Sequence, residues 1–241
     1  GLSQSGLAER VGRCEAGENT LEREGFPMAT ATPPVKFYYA PQSNATRVHW
    51  TLEELGIPYE KVRLDLRAGD QRKPEFLVKN PNGKVPTVEL DGAPMFESIA
   101  IQIALGERFG VERNLWPALG SAAHLQALSW LVWGQVTLGG ALTRYLYNTS
   151  SFFPKVTHNA EQAEAAMAEV RAALRILDAH LARTGYAAGD HFTIVDLDLA
   201  SVLMWGSMVA QLELSQYPKL SQWLARANER PALAAATSAE P

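Results

Sequence analysis

Between Asn80 and Ser98 the chain reads Asn-Pro-Asn-Gly-Lys-Val-Pro-Thr-Val-Glu-Leu-Asp-Gly-Ala-Pro-Met-Phe-Glu-Ser, and the residue types there suit a small zwitterion. Glu97 offers a carboxylate to an ammonium group. Ser98 opens an apolar helix carrying Ile99, Ile103 and Leu105, so a hydroxyl and unpaired N–H groups face an anion. Lys84 adds an ammonium for a carboxylate. Pro86 stands just ahead of a strand, where a missing N–H harms a ladder least. A cis bond between Val85 and Pro86 would turn the Val85 backbone outward, free to pair with a ligand. One short segment thus offers a backbone edge, an anion site and charged partners, a set that suits a zwitterionic peptide.

The elements that must hold these groups are legible on either side. Val35 to Tyr39 reads as a strand closed by Pro41, and Val48, Leu52 and Leu55 fall at helical spacing before Gly56 and Pro58. Val62, Leu64 and Leu66 alternate with Arg63 and Asp65 as a second strand, long enough after the helix for a parallel crossover. Asp91-Gly92 between Thr87–Leu90 and Pro94–Phe96 signals a hairpin. The order is β-α-β, a loop or short helix, then β-β-α: that of a thioredoxin-like domain. After Leu115-Trp-Pro-Ala-Leu-Gly120, which reads as a linker, no strand is expected. His124 to Leu138 is an apolar helix, weakened at Gly139-Gly140 and at Asn148–Ser151, with a bend at Phe152-Phe-Pro. Ala163, Met167, Val170, Leu174, Leu177 and Leu181 form a buried stripe on one long helix. Thr193-Ile-Val-Asp196 fits a capping box ahead of Leu197 to Val209, and a last helix covers Tyr217 to Asn228.

Composition removes other classes of function. The 241 residues, 46% apolar and 20% charged, describe an ordinary globular chain of a length for two domains. A net charge of −4 gives no support to nucleic acid as a partner, and no apolar run is long enough to span a bilayer. The single cysteine, Cys14, excludes a disulfide framework and any Cys-x-x-Cys redox or zinc pattern, which fits a reducing cytoplasmic setting. Residues 1–34 lack strand or helix periodicity and any secretory core, and read as a flexible leader or expression remnant.

From about Val35 to Leu233 the chain resembles the cytosolic glutathione transferases, bacterial serine-type, theta-like or nu-like. The resemblance rests on Tyr-Tyr-Ala-Pro-Gln-Ser-Asn after the first strand, Asn80-Pro with Gly83-Lys-Val-Pro86, Glu97-Ser98, and Thr193-Ile-Val-Asp196, in that order. It implies a thioredoxin-like glutathione-binding domain over residues 35–113, a linker at 114–122, and an all-helical domain with a hydrophobic substrate site over 123–241. It also implies a homodimer, glutathione as co-substrate and no metal. Val85, ahead of the matched Pro86, would exchange backbone hydrogen bonds with the cysteinyl unit. Glu97 and Ser98 match the pair holding the γ-glutamyl end; Lys84 and Gln71 match positions near the glycyl end. Ordinary readings stand beside these: a solvated loop charge for Lys84, a simple helix cap for Ser98.

The chemistry that the resemblance implies needs the thiol of glutathione ionised. A free cysteine-type thiol has a pKa of about 8.5, and lowering it by roughly two units takes about 2.7 kcal/mol. One or two hydrogen bonds to the anion, at about 1.5–3 kcal/mol each, suffice, helped by a helix N-terminus. Tyr39, Ser43 and Asn44 are the available donors, matching the tyrosine-type, serine-type and nu-like enzymes in turn. Ser43 is the expected main donor, with Asn44 next, while an aromatic such as Tyr39 at a strand end is more often packing. Arg47 could add positive potential or pair at the surface. Trp130, Trp133, Tyr145, Tyr147, Phe152 and Phe153, with Arg144, are the stock for an apolar second-substrate wall. The expected activity is attack of glutathione thiolate on a hydrophobic electrophile. The alternatives are nu-like reduction of disulfides or peroxides, and a non-catalytic binding module.

Overall fold

The computed structural model of the chain describes residues 34–151 and 153–238, and the leader with Cys14 lies outside them, apart from Pro34. Four strands, β1 (Val35–Tyr39), β2 (Tyr59–Arg63), β3 (Thr87–Leu90) and β4 (Ala93–Phe96), form one sheet in the order β2-β1-β3-β4. β2 runs parallel to β1 across helix α1 (Thr46–Leu55), and β3 and β4 are antiparallel additions. This is a thioredoxin-like half. The amphipathic α1 ends where Gly56 takes φ 59°, a left-handed cap that the missing side chain makes easy. Asp91 and Gly92 both have positive φ, 50° and 83°, as a tight hairpin turn requires. Pro94 is tolerated because β4 is an edge strand.

β2 stops at Arg63, short of the expected Leu66. Asp65 explains it: its carboxylate accepts the N–H groups of Arg67 and Ala68, and its own N–H goes to Asp70. A local side-chain turn outcompetes the ladder. The chain then passes through a 3₁₀ turn, Asp70–Arg72, and the short α2 (Pro74–Leu77).

Beyond Phe96 the described residues contain no strand. Helix α3 (Ser98–Leu105) runs on through a π-helical turn, Gly106–Gly110, whose glycines lie flat against Trp116. The expected linker is therefore packed: Leu115 and Trp116 are buried, and the Leu115 carbonyl accepts the Ile194 N–H at 3.0 Å. Helix α4 (Ala122–Trp133) does not break at Gly139-Gly140. It continues through a second π-helical segment, Gly134–Gly139, into α5 (Gly140–Thr149). Gly134 lies close under Leu199, whose side-chain end a Cβ would meet at 2.6 Å. Helix α6 (Ala160–Thr184) buries its predicted stripe, with Met167 at the margin. The capping box at Thr193 and Asp196 opens α7 (Ile194–Ala210). Then come α8 (Pro218–Asn228) and α9 (Pro231–Thr237), the latter unforeseen and laid along α1. Arg230 fastens α9 by pairing with Glu54 and stacking on Phe192 at 3.9 Å.

Candidate functional site

The loop between α2 and β3 is shaped by Asn80. Its side-chain amide donates to the Lys84 carbonyl at 2.8 Å and to Thr87 Oγ1 at 3.0 Å, and its own carbonyl accepts the Gly83 N–H. The Val85–Pro86 bond is cis. Neither backbone polar group of half-buried Val85 pairs with another backbone group among the described residues. Gly83, at φ 58°, lies against the Gln71 carbonyl, where a Cβ would sit only 2.9 Å away. Gln71 thus abuts Gly83, the residue before Lys84. The Gln71 amide donates to the Leu66 carbonyl at 3.2 Å, while its Oε1 is buried and unpartnered. Lys84 is exposed.

At the start of α3 the first backbone bond closes only from Ile101 N–H to the Glu97 carbonyl, at 3.0 Å, and no side chain caps the helix. The N–H groups of its first turn therefore stand open beside the buried Ser98 hydroxyl, an arrangement suited to a carboxylate. Glu97 holds φ 68° and ψ 115°, a backbone state that a non-glycine residue adopts only at a cost.

At the start of α1 the three expected thiol donors prove unlike one another. The Ser43 hydroxyl is occupied: it donates to the Ala40 carbonyl at 2.6 Å and accepts the Ala45 N–H at 3.2 Å. Asn44 is exposed, and no hydrogen bond engages its amide among the described residues. Tyr39 is buried in an aromatic cluster, stacked on Phe37 at 5.4 Å. Arg47 is not at the surface. Its guanidinium is buried and bonded to Asp198 on α7 at 2.9 Å. Sequence reading missed Asp198, although a lone acid inside the apolar run Leu197 to Val209 is the signal of a buried partner.

The aromatic stock does not gather into one wall. Trp130 packs on His180 at 4.4 Å and edge-on to Trp133 at 4.9 Å. Tyr147 pairs with Phe153 at 4.5 Å, and Phe152 lies outside the described residues. Tyr145 lines a cavity of about 520 Å³ with His158 and Met167 between α5 and α6. Exposed Arg144 is paired with Glu169. A cavity of about 320 Å³ adjoins the Pro41–Thr46 turn, closed on one side by Thr237 and Ser238. Among the described residues no group of three His, Cys, Asp or Glu side chains could hold a metal ion.

A thioredoxin-like sheet bearing an anion-ready helix start and a cis-proline loop, followed by a helical half, defines the architecture of the glutathione transferases. Residues 33–103 match the family described as "Glutathione S-transferase, N-terminal domain" and residues 141–231 match "Glutathione S-transferase, C-terminal domain". Glutathione S-transferase GstB of Escherichia coli (strain K12) is 31% identical over 193 residues, spanning 79% of this chain and 91% of that relative. The theta class glutathione S-transferase of Xanthomonas axonopodis pv. citri, solved with glutathione bound, superposes with a TM-score of 0.73 at 25% identity, covering 87% of this chain and 99% of that one. URE2P8 of Phanerochaete chrysosporium, solved with oxidized glutathione, gives 0.75 at 21% identity over 86% and 95% of the two chains, a likeness of fold. This chain belongs to the glutathione S-transferase family.

Proposed function

We propose that this protein binds glutathione in its thioredoxin-like half and directs its thiolate at a hydrophobic electrophile. The observation that carries the reading is the open start of α3, with the free side-chain amide of Asn44 just ahead of α1. α3 presents unpaired N–H groups with Ser98 and Glu97, suited to the γ-glutamyl end, and α1 presents the free amide of Asn44, suited to a sulfur anion. Val85 takes the cysteinyl backbone, and Lys84, with Gln71 across Gly83 from it, meets the glycyl carboxylate. Asn44 is the main thiolate donor in this assignment. Ser43, whose proton is already committed to Ala40, shapes the turn, and Tyr39 packs it. The glutathione-bound theta class relative supports the ligand.

A second reading, reduction of small disulfides by two glutathione molecules, is favoured by the same free amide, because the turn from Pro41 to Arg47 carries no cysteine of its own. Turnover of a chloronitroaromatic compared with hydroxyethyl disulfide decides between the two. Asn44→Ala should lower either activity at least tenfold and Ser43→Ala less than Asn44→Ala. A calorimetric titration without heat on adding glutathione would reduce the protein to a non-catalytic module.

The protein acts as a homodimer in this reading. On α4 and the π segment Leu125, Val132 and Val136 are 61%, 49% and 68% exposed on one helix face, and no Asp, Glu, Lys or Arg interrupts residues 122–143. An uncharged exposed apolar stripe of this kind fits a second copy of the chain.

A further inference from the structure

A buried polar network joins the helical half to both of the helix starts assigned to glutathione. Asp198, fully buried on α7, accepts Arg47 Nη1 at 2.9 Å through Oδ1 and Gln135 Nε2 at 3.3 Å through Oδ2. Arg47 lies in the first turn of α1, three residues after Asn44. The same turn pins the donor loop: Thr46 N–H and Thr46 Oγ1 both reach the Ser43 carbonyl, at 3.1 and 3.0 Å. From Arg47 the network continues to α3. The Arg47 carbonyl accepts Thr51 Oγ1 at 2.9 Å, and Thr51 accepts Gln102 Nε2 at 3.1 Å. Gln102 stands one helical turn after Ser98 on the same buried side, and its amide also faces Asp198.

Placing an ionised group in the interior is expensive unless a partner and hydrogen bonds compensate it, so such a network holds its members in one geometry. Gln135 enters it from the π-helical segment, and a π turn is a common device for re-aiming one side chain. We infer that Asp198 is a positioning residue for the proposed thiolate chemistry: through Arg47 it fixes the Ser43-Asn44 turn and keeps a guanidinium beneath the sulfur-binding end of α1. It touches neither substrate. The helical half then tunes the thiol as well as housing the second substrate.

The inference rests on the glutathione reading, and the experiment separates the two. Bound glutathione is titrated from pH 5 to 10 by the ultraviolet absorbance of its thiolate, and its affinity is measured by calorimetry. In the unaltered protein the thiol midpoint should lie well below that of free glutathione; if glutathione does not bind or its midpoint is not lowered, the glutathione reading fails. With that established, Asp198→Asn should raise the midpoint by about one unit, a tenfold loss of thiolate below it, and leave affinity within about threefold. Asp198→Glu should recover part of the shift. Should Asp198→Asn fail to fold, the double variant Arg47→Gln with Asp198→Asn removes both buried charges together and should show the same rise. An unchanged or lowered midpoint in whichever of these binds glutathione overturns the inference.

Discussion

Trp223 on α8 donates its indole N–H to Asp196 at 2.8 Å, across a sequence separation of 27 residues. The same carboxylate accepts the Ala187 N–H at 2.8 Å and the Thr193 N–H and hydroxyl at 3.0 Å each. Burial raises the Asp196 carboxyl above its ordinary range, and these four donors oppose that. The capping box is thus also the knot tying the α6–α7 connection to α8. Asp196→Ala leaves several buried donors unpaired at about 1–3 kcal/mol each, so we expect a loss of at least about 3 kcal/mol. In urea the unfolding midpoint should fall with an unchanged slope. A loss below 1 kcal/mol would mean that the knot is dispensable.

What the sequence shows and hides follows from range. The hairpin turn at Asp91-Gly92, the cap at Gly56 and the stripe on α6 are local patterns, and each stands where spacing puts it. The helix start at Ser98 is legible for the same reason, whereas the cis state of the Val85–Pro86 bond is implied only by the family resemblance. The early end of β2 was hidden because Asp65 has a better partner in its own turn than in the ladder. Continuity from α4 into α5 was hidden by Gly139 and Gly140, which read as a weakening, while Gly134 fell inside the predicted helix. Gly134 at least answers a neighbour, Leu199, sixty-five residues away. That the Ala40 carbonyl holds the Ser43 hydroxyl, which sets Ser43 apart from Asn44 in the proposal, is a backbone contact that residue types do not reveal.

The exposed stripe on α4 predicts assembly. Val132→Glu places a charge in the middle of the proposed contact, and burying it unpaired should cost about 2 kcal/mol or more. The dimer dissociation constant should rise at least about thirtyfold, with the monomer still folded. Sedimentation of both proteins over a concentration series checks this; a monomeric parent protein sinks it.

Acid sensitivity should report on the outer face of the sheet. Burial pushes Glu89 up, but Lys79 at 2.7 Å and the Tyr38 hydroxyl outweigh it, so its carboxyl lies below the ordinary 4.5. The Tyr38 phenol moves the opposite way, raised by burial and then by Glu89. A depressed carboxyl stabilises the fold above pH 4.5, and that stabilisation fades as pH falls through the folded value. Glu89→Gln should therefore cost about 1 kcal/mol at pH 7. The gap between the two proteins should close below pH 4. Melting temperatures at pH 7, 5, 4 and 3 test it, and a gap that widens toward acid contradicts the assignment.

Glu97 holds a strained backbone at the proposed ligand site, which makes it the sharpest test of that proposal. Its φ of 68° with ψ 115° costs about 1–3 kcal/mol in a non-glycine residue. Glycine, lacking a Cβ, meets that state with less strain, and its added freedom in the unfolded chain costs only about 0.5–1 kcal/mol. Glu97→Gly should therefore stabilise the protein by about 1 kcal/mol, seen as a higher melting temperature. The same change removes the carboxylate meant for the glutathione ammonium, a hydrogen bond to a charged group worth about 1.5–3 kcal/mol, so affinity should fall at least tenfold. Glu97→Gln separates the two effects, keeping the strain while losing the charge: weaker binding with no gain in melting temperature. If Glu97→Gly binds glutathione as tightly as the parent protein, the strained residue serves the fold and not the ligand, and the assignment of the α3 start to the γ-glutamyl end falls with it.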